Sequence, residues 1–169
     1  MSDKQEIQLT VNGEQVRESV LVRTNLVDFL RNQIGLTGSH VGCEQGVCGA
    51  CTLEVDGVMI RACLMLAVQA NGSSVTTVEG FADKPTGRRL QNAFAQHNAL
   101  QCGFCTPGML ASAIEYIDLG GAADRQAIRK HLSGNYCRCT GYQAIVDAVM
   151  AVINNDDLPG TSQSDGVAV

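Results

Sequence analysis

Eight cysteines carry the chemistry this sequence can do, and they fall into two sets of four. In the first, Cys43, Cys48 and Cys51 are separated by four and two residues, and Cys63 follows after eleven more. That spacing suits a [2Fe–2S] cluster. The loop around it, Gly42-Cys43-Glu44-Gln45-Gly46-Val47-Cys48-Gly49-Ala50-Cys51, is rich in glycine. A loop folded round an anionic cluster must turn successive backbone N–H groups inward, and glycine permits the positive-φ turns this needs. With four thiolates and two ferric ions the cluster carries a formal charge of about −2, and amide donors around the sulfurs raise its potential. Zinc is the alternative guest for four cysteines, but its sites use close pairs, and this triplet fits them poorly.

The second set is Cys102-x2-Cys105 and, 31 residues later, Cys137-x-Cys139. Two close pairs far apart are also a zinc pattern, so zinc stays open on spacing alone. Two features favour iron–sulfur. The set stands beside an iron–sulfur spacing, so a second cluster would give the first an electron partner. Each pair also precedes a candidate helix cap, Thr106 or Thr140, and a helix N-terminus favours an anionic cluster.

Other residues with chemical potential are scattered. His40, His97 and His131 are isolated and read as surface or packing residues; no two have ligand spacing. Glu44 reads as a solvated carboxylate, and Arg138, between two cysteines, as a partner for cluster charge or for another chain. Phe104 and Tyr136 flank the second set and would shield it from water. Asp28, Glu115 and Asp147 are separate helix positions, not a catalytic pair, and no nucleotide-binding glycine motif occurs.

The elements that must position the cysteines change period midway. In the first half Ile7, Leu9 and Val11 alternate with polar residues, Asn12-Gly13 offers a type I′ turn, and Val16 resumes the strand. Leu26, Leu30 and Ile34 recur at helical spacing and Gly35 stops the helix. Leu53 to Ile60 reads as a second hairpin around Asp56-Gly57, followed by an apolar segment at 64–68 and a strand over 75–78. In the second half, helices are predicted around Leu90, Phe94 and His97, around Leu110, Ile114 and Ile117, around Ile128 and Leu132 behind the cap Asp124, and around Ile145, Val149 and Val152. The expected fold class is α+β. A small mixed sheet with one helix occupies 1–80, a linker 81–86, an antiparallel four-helix bundle 87–155 and a polar tail 156–169.

Composition bounds the function. The chain has 169 residues and a net charge of −5, which argues against a nucleic-acid footprint. Only 17% of residues are charged against 45% hydrophobic, as expected of a subunit covered by partners. No run approaches the ~20 apolar residues of a membrane span. With no signal-peptide pattern at the start, the expected location is the cytoplasm, where cysteines are metal ligands rather than cross-links.

The ordered motifs resemble a known family: Cys43 through Thr52, Cys63-Leu64, Gln101-Cys102-Gly103-Phe104-Cys105-Thr106-Pro107-Gly108 and Cys137-Arg138-Cys139-Thr140-Gly141-Tyr142. Together, over about residues 5–155, they are similar to the iron–sulfur small subunit of molybdenum hydroxylases, the xanthine oxidase and aldehyde oxidoreductase family. That family includes quinoline or isoquinoline oxidoreductases and carbon monoxide dehydrogenase. The resemblance implies a β-grasp, plant-type ferredoxin-like domain followed by a four-helix-bundle [2Fe–2S] domain. It implies a large partner chain holding a molybdopterin cofactor (in its cytosine dinucleotide form), a medium chain holding FAD, and a dimer of such heterotrimers. The substrate would be hydroxylated with oxygen from water, and the electrons would leave through two [2Fe–2S] clusters in this chain. By the same resemblance Cys102, Cys105, Cys137 and Cys139 would bind the cluster near the pterin, and Cys43, Cys48, Cys51 and Cys63 the one facing FAD. Gln101 matches the position that hydrogen-bonds the pterin, and Cys139 the ligand nearest its amino group. An N-heteroaromatic substrate is expected by resemblance alone, and the tail matches no family motif.

Overall fold

The computed structural model describes residues 3–155; the tail expected at 156–169 lies outside them. Strand β1 (Lys4–Val11) buries Ile7, Leu9 and Val11 on one face and pairs antiparallel with β2 (Glu14–Leu21). Val11 opposes Glu14, so Asn12 (φ 50°) and Gly13 (φ 86°) form the two-residue turn whose twist matches the strands. The second hairpin repeats this chemistry: β3 (Thr52–Val55) and β4 (Val58–Arg61) are joined by Asp56 (φ 50°) and Gly57 (φ 82°). Strand β5 (Ser74–Thr76) lies parallel to β1 and antiparallel to β3, giving the sheet order β2-β1-β5-β3-β4.

Across this sheet runs α1 (Leu26–Phe29), capped by Asn25, whose side chain accepts from the Asp28 amide at 2.8 Å. Its last turn widens into a π-helical turn, Leu30–Ile34, and Gly35 at φ 85° ends it. Leu26, Val27, Phe29 and Leu30 are fully buried against the sheet. A mixed sheet clasping one helix is the β-grasp arrangement, and with the helices below it makes the chain α+β.

Three boundaries differ from the sequence expectation. The strand expected over 75–78 is Ser74–Thr76, because Thr77 turns to donate its amide to Asn12 Oδ1 (2.9 Å) and its carbonyl then accepts from Gly80 N. The segment at 64–68 gives way to a 3-10 turn at Ala67–Ala70. Residues 81–86 are no loose linker: Phe81–Asp83 form a 3-10 turn, Phe81 is fully buried in the helical core, and Pro85 already starts the next helix.

The second half is a ring of four helices: α2 (Pro85–Gln96), α3 (Thr106–Asp118), α4 (Arg125–His131) and α5 (Gln143–Ile153). Helix α2 packs on α3 and α5, and α4 packs on the same two. Leu90, Phe94, Met109, Ile114, Ile145 and Val149 fill the middle. The two halves are fused, since α3 packs on β3, and Met59 and Val78 reach the helical core.

Candidate functional site

The first cysteine loop turns at Glu44 (φ 55°), Gly46 (φ 76°) and Gly49 (φ 75°), the left-handed conformations its glycines foreshadowed. These turns aim the amides of Gln45 and Cys48 at Cys43 Sγ, at 3.4 and 3.5 Å. The Gln45 amide, then that of Cys48, lowers the Cys43 thiol to about 6, because both donate to the thiolate. Cys51 sits 2% exposed beneath the loop, and burial pushes its thiol up to about 11. Cys43 interacts with Cys48, and Cys51 with both Cys63 and Cys48, so the structure gathers all four.

The second group is assembled from the loop before α3 and the loop before α5. Cys139 Sγ lies 3.4 Å from Cys102 Sγ, and Cys105 interacts with Cys137 and Cys102. The Phe104 amide lowers the Cys102 thiol, and burial raises Cys105 to about 12. At Cys137 burial pushes the thiol up, but the Thr140 hydroxyl (3.0 Å) and amide (3.4 Å) donate to its sulfur, and the net shift is downward. Cys139 is raised, chiefly by its bond with Cys102.

All eight thiols are free of disulfides. Among the described residues no three His, Cys, Asp or Glu side chains gather in the manner of a single-ion site; the sulfurs meet in twos, Cys43 with Cys48, Cys51 with Cys63, Cys102 with Cys139 and Cys105 with Cys137. A two-iron cluster takes two thiolates at each iron, and amide and hydroxyl donors aimed at sulfur suit its negative charge. The donor sets therefore fit two such clusters.

The helix-cap expectations are corrected. Cys105, not Thr106, occupies the N-cap position of α3; Thr106 is the first helical residue, and its buried hydroxyl has no partner among the described residues. Helix α5 starts at Gln143 behind Tyr142 (φ 67°), so Thr140 is not its cap. Thr140 Oγ1 instead accepts from the Tyr142 amide at 3.2 Å and serves Cys137. Among the described residues, only the N-terminus of α3 directly adjoins the cysteines.

Gln101 is exposed, on the same open edge as the exposed Cys102 and Cys139. Phe104 and Tyr136 are 47% and 60% exposed, so within this chain they cover the second set only in part. His40 stacks on Phe104 at 4.8 Å and its Nδ1 donates to the Phe104 carbonyl at 2.8 Å, a packing role between the two loops. His131 pairs with Glu115 at 3.2 Å, and His97 ends α2. Asp147 pairs with Arg125. Tyr142, which closes the last family motif with no role assigned to it in the sequence, supports the cysteine loop: its hydroxyl accepts from the Cys137 amide (2.8 Å) and donates to the Asn135 carbonyl (3.1 Å). Its place behind the cysteine pair was the available signal. Asn135, which the sequence does not single out, is 2% exposed; its Oδ1 accepts from Ser112 and Arg61, and its Nδ2 donates to the Gly49 carbonyl.

Residues 9–74 match the family described as a 2Fe-2S iron-sulfur cluster binding domain, and residues 77–150 the family described as a [2Fe-2S] binding domain. The chain is 51% identical to the caffeine dehydrogenase subunit gamma of Pseudomonas sp. (strain CBB1), over 86% of this chain and 89% of that protein. It is 48% identical to the nicotine 6-hydroxylase small subunit of Paenarthrobacter nicotinovorans, over 94% and 92%. Among solved structures, quinoline 2-oxidoreductase from Pseudomonas putida 86 superposes with a TM-score of 0.85 at 48% identity, over 90% of this chain and 96% of the matched chain.

Proposed function

Because this chain belongs to the [2Fe–2S] iron–sulfur small-subunit family of molybdenum hydroxylases, we propose that it is the electron-transfer subunit linking a molybdenum–pterin centre in a large partner chain to FAD in a medium chain. The observation that carries the reading is the pairwise gathering of eight free thiols into two groups of four. When bound, [2Fe–2S] clusters supply one-electron storage at potentials set by charge, hydrogen bonds and exposure. Cys43, Cys48, Cys51 and Cys63 would hold the cluster toward FAD, and Cys102, Cys105, Cys137 and Cys139 the one toward the pterin. The Gln45, Cys48, Phe104 and Thr140 donors stabilise thiolate charge, while buried Cys51 and Cys105 keep water from one side of each group.

Gln101 and Cys139 are assigned to the pterin side. Both are exposed beside Cys102, which leaves the Gln101 amide free to offer a donor and an acceptor to a partner's cofactor edge. Exposed Val47 and Leu64 near the first group, and Leu100 and Phe104 near the second, support docking to other chains. A dimer of heterotrimers is the proposed assembly. Free thiols support the cytoplasm as its place, and among the described residues no helix is long and apolar enough to cross a membrane. The holoenzyme's proposed substrate is an N-heteroaromatic compound; the names caffeine dehydrogenase, nicotine 6-hydroxylase and quinoline 2-oxidoreductase support it, since each denotes a nitrogen heterocycle.

The test is elemental analysis of the purified chain with its co-purifying partners. About four iron and four inorganic sulfide per chain, with two distinct reduced signals by electron paramagnetic resonance, are expected. Half that iron with one zinc would overturn the second assignment.

A further inference from the structure

One buried side chain ties the two cysteine loops together. The Oδ1 of Asn135 accepts from Ser112 Oγ on α3 (2.9 Å) and from the Arg61 guanidinium on β4 (3.3 Å), and its Nδ2 donates to the Gly49 carbonyl in the first cysteine loop (3.2 Å). Arg61 also donates to Thr52 Oγ1 and to the Gly134 carbonyl (2.9 Å), and Thr52 Oγ1 donates to the same Gly49 carbonyl at 2.6 Å. The approach is close on both sides. A Cβ on Gly49 would stand 2.7 Å from the Asn135 amide, and one on Gly108 would stand 2.1 Å from the Gly49 carbonyl oxygen. Next to this knot the Tyr136 amide donates to the Cys48 carbonyl at 2.8 Å. One hydrogen bond thus joins a cysteine of the first group to the residue bonded to Cys137 of the second.

We propose that Asn135 is a positioning residue for electron transfer: its amide locks the two cysteine loops at one separation and so maintains the Cys48 C=O···H–N Tyr136 bridge between them. The inference rests on reading both groups as cluster sites. With clusters held by both groups, one electron would leave one and arrive at the other across this bridge, and no bond or proton would change hands. Asparagine suits the place because it must donate toward Gly49 and accept from Ser112 and Arg61 at once, and both faces are buried. Aspartate would keep the two acceptor contacts, lose the bond that crosses to the first loop, and set a carboxylate oxygen against the Gly49 carbonyl in its place.

The experiment uses the full chain with its iron and its co-purifying partners, in the variants Asn135→Asp, Gly108→Ala and Ser112→Ala. The readouts are iron content and the magnetic splitting between the two groups in the fully reduced protein, which reports their separation and orientation rather than activity. Asn135→Asp and Gly108→Ala should keep full iron and lose the splitting of the unsubstituted protein, while Ser112→Ala, which breaks a contact within the helical half, should keep it. Unchanged splitting in both of the first two variants overturns the inference. So does loss of iron from either, since Asn135 would then build a site rather than space two. Loss of splitting in Ser112→Ala equal to that in Asn135→Asp also overturns it, as general loosening. An unsubstituted protein lacking the second iron–sulfur signal would instead defeat the two-cluster reading.

Discussion

Thr140 serves Cys137 twice, through its hydroxyl at 3.0 Å and its amide at 3.4 Å, and only the hydroxyl can be removed by substitution. Donors to sulfur raise a cluster's potential by stabilising the more negative reduced state. Thr140→Val should therefore make the potential of the group containing Cys137 more negative and cost about 1 kcal/mol of stability, and Thr140→Ser should restore both; a redox titration followed by paramagnetic resonance, with a thermal melt, checks this. The thiols themselves should separate by reactivity in the metal-free chain. With its thiol lowered to about 6, Cys43 is largely thiolate at neutral pH, whereas Cys51 at about 11 and Cys105 at about 12 remain protonated. Alkylation followed by mass spectrometry should label Cys43 first and the other two last. By the same sign, Cys51 and Cys105 must release protons to take metal, so iron retention should weaken as pH falls. The cysteines were legible because ligand spacing is local. Asn135 and Arg61 were not, because their partners lie 86 and 73 residues away and nothing at either end of the chain segment records the other.

At the level of elements, the caps that face solvent behave as their residue types dictate. Asp124 accepts from the Ala127 amide at 2.7 Å to start α4, so Asp124→Ala should lower stability by about 1 kcal/mol in a denaturant melt with iron content unchanged. Gly13 has open space around it but stands at φ 86°, so Gly13→Ala should cost on the order of 1 kcal/mol through backbone strain alone. Both hairpins were legible for that reason: Asn-Gly and Asp-Gly select a turn whatever surrounds them. Thr106 and Thr140 look the same as Asp124 in sequence, yet neither caps a helix, because the cysteine loops recruit the segments ahead of α3 and α5 and shift where each helix begins. The strand at β5 was cut short in the same way, by the Thr77 contact with Asn12 65 residues away.

Over the whole molecule the two cores are joined by charge as well as by the Asn135 contacts. Glu54 on β3, its side chain 14% exposed, takes Lys84 Nζ at 2.5 Å from the start of α2. Lys84→Met would leave a nearly buried carboxylate with only the Thr76 hydroxyl at 3.4 Å, costing about 1–3 kcal/mol, and Glu54→Gln in the same chain should recover much of the loss; a double-mutant cycle by thermal unfolding measures it. Two apolar clusters were legible from the change of period midway, but the fusion was not: Phe81 and Pro85, written as a connection, are core and helix. The Tyr136–Cys48 hydrogen bond also has a consequence in time. On the ribosome, the last cysteine of the first group emerges 74 residues ahead of Cys137. At about 5–20 residues per second, the loop bearing Cys43, Cys48 and Cys51 waits on the order of ten seconds for the backbone amide that seats it. During translation Cys43 and Cys48 wait half-exposed while Cys51 is already covered by the core of its own half, so those two thiols are the ones open to oxidants until the second half arrives.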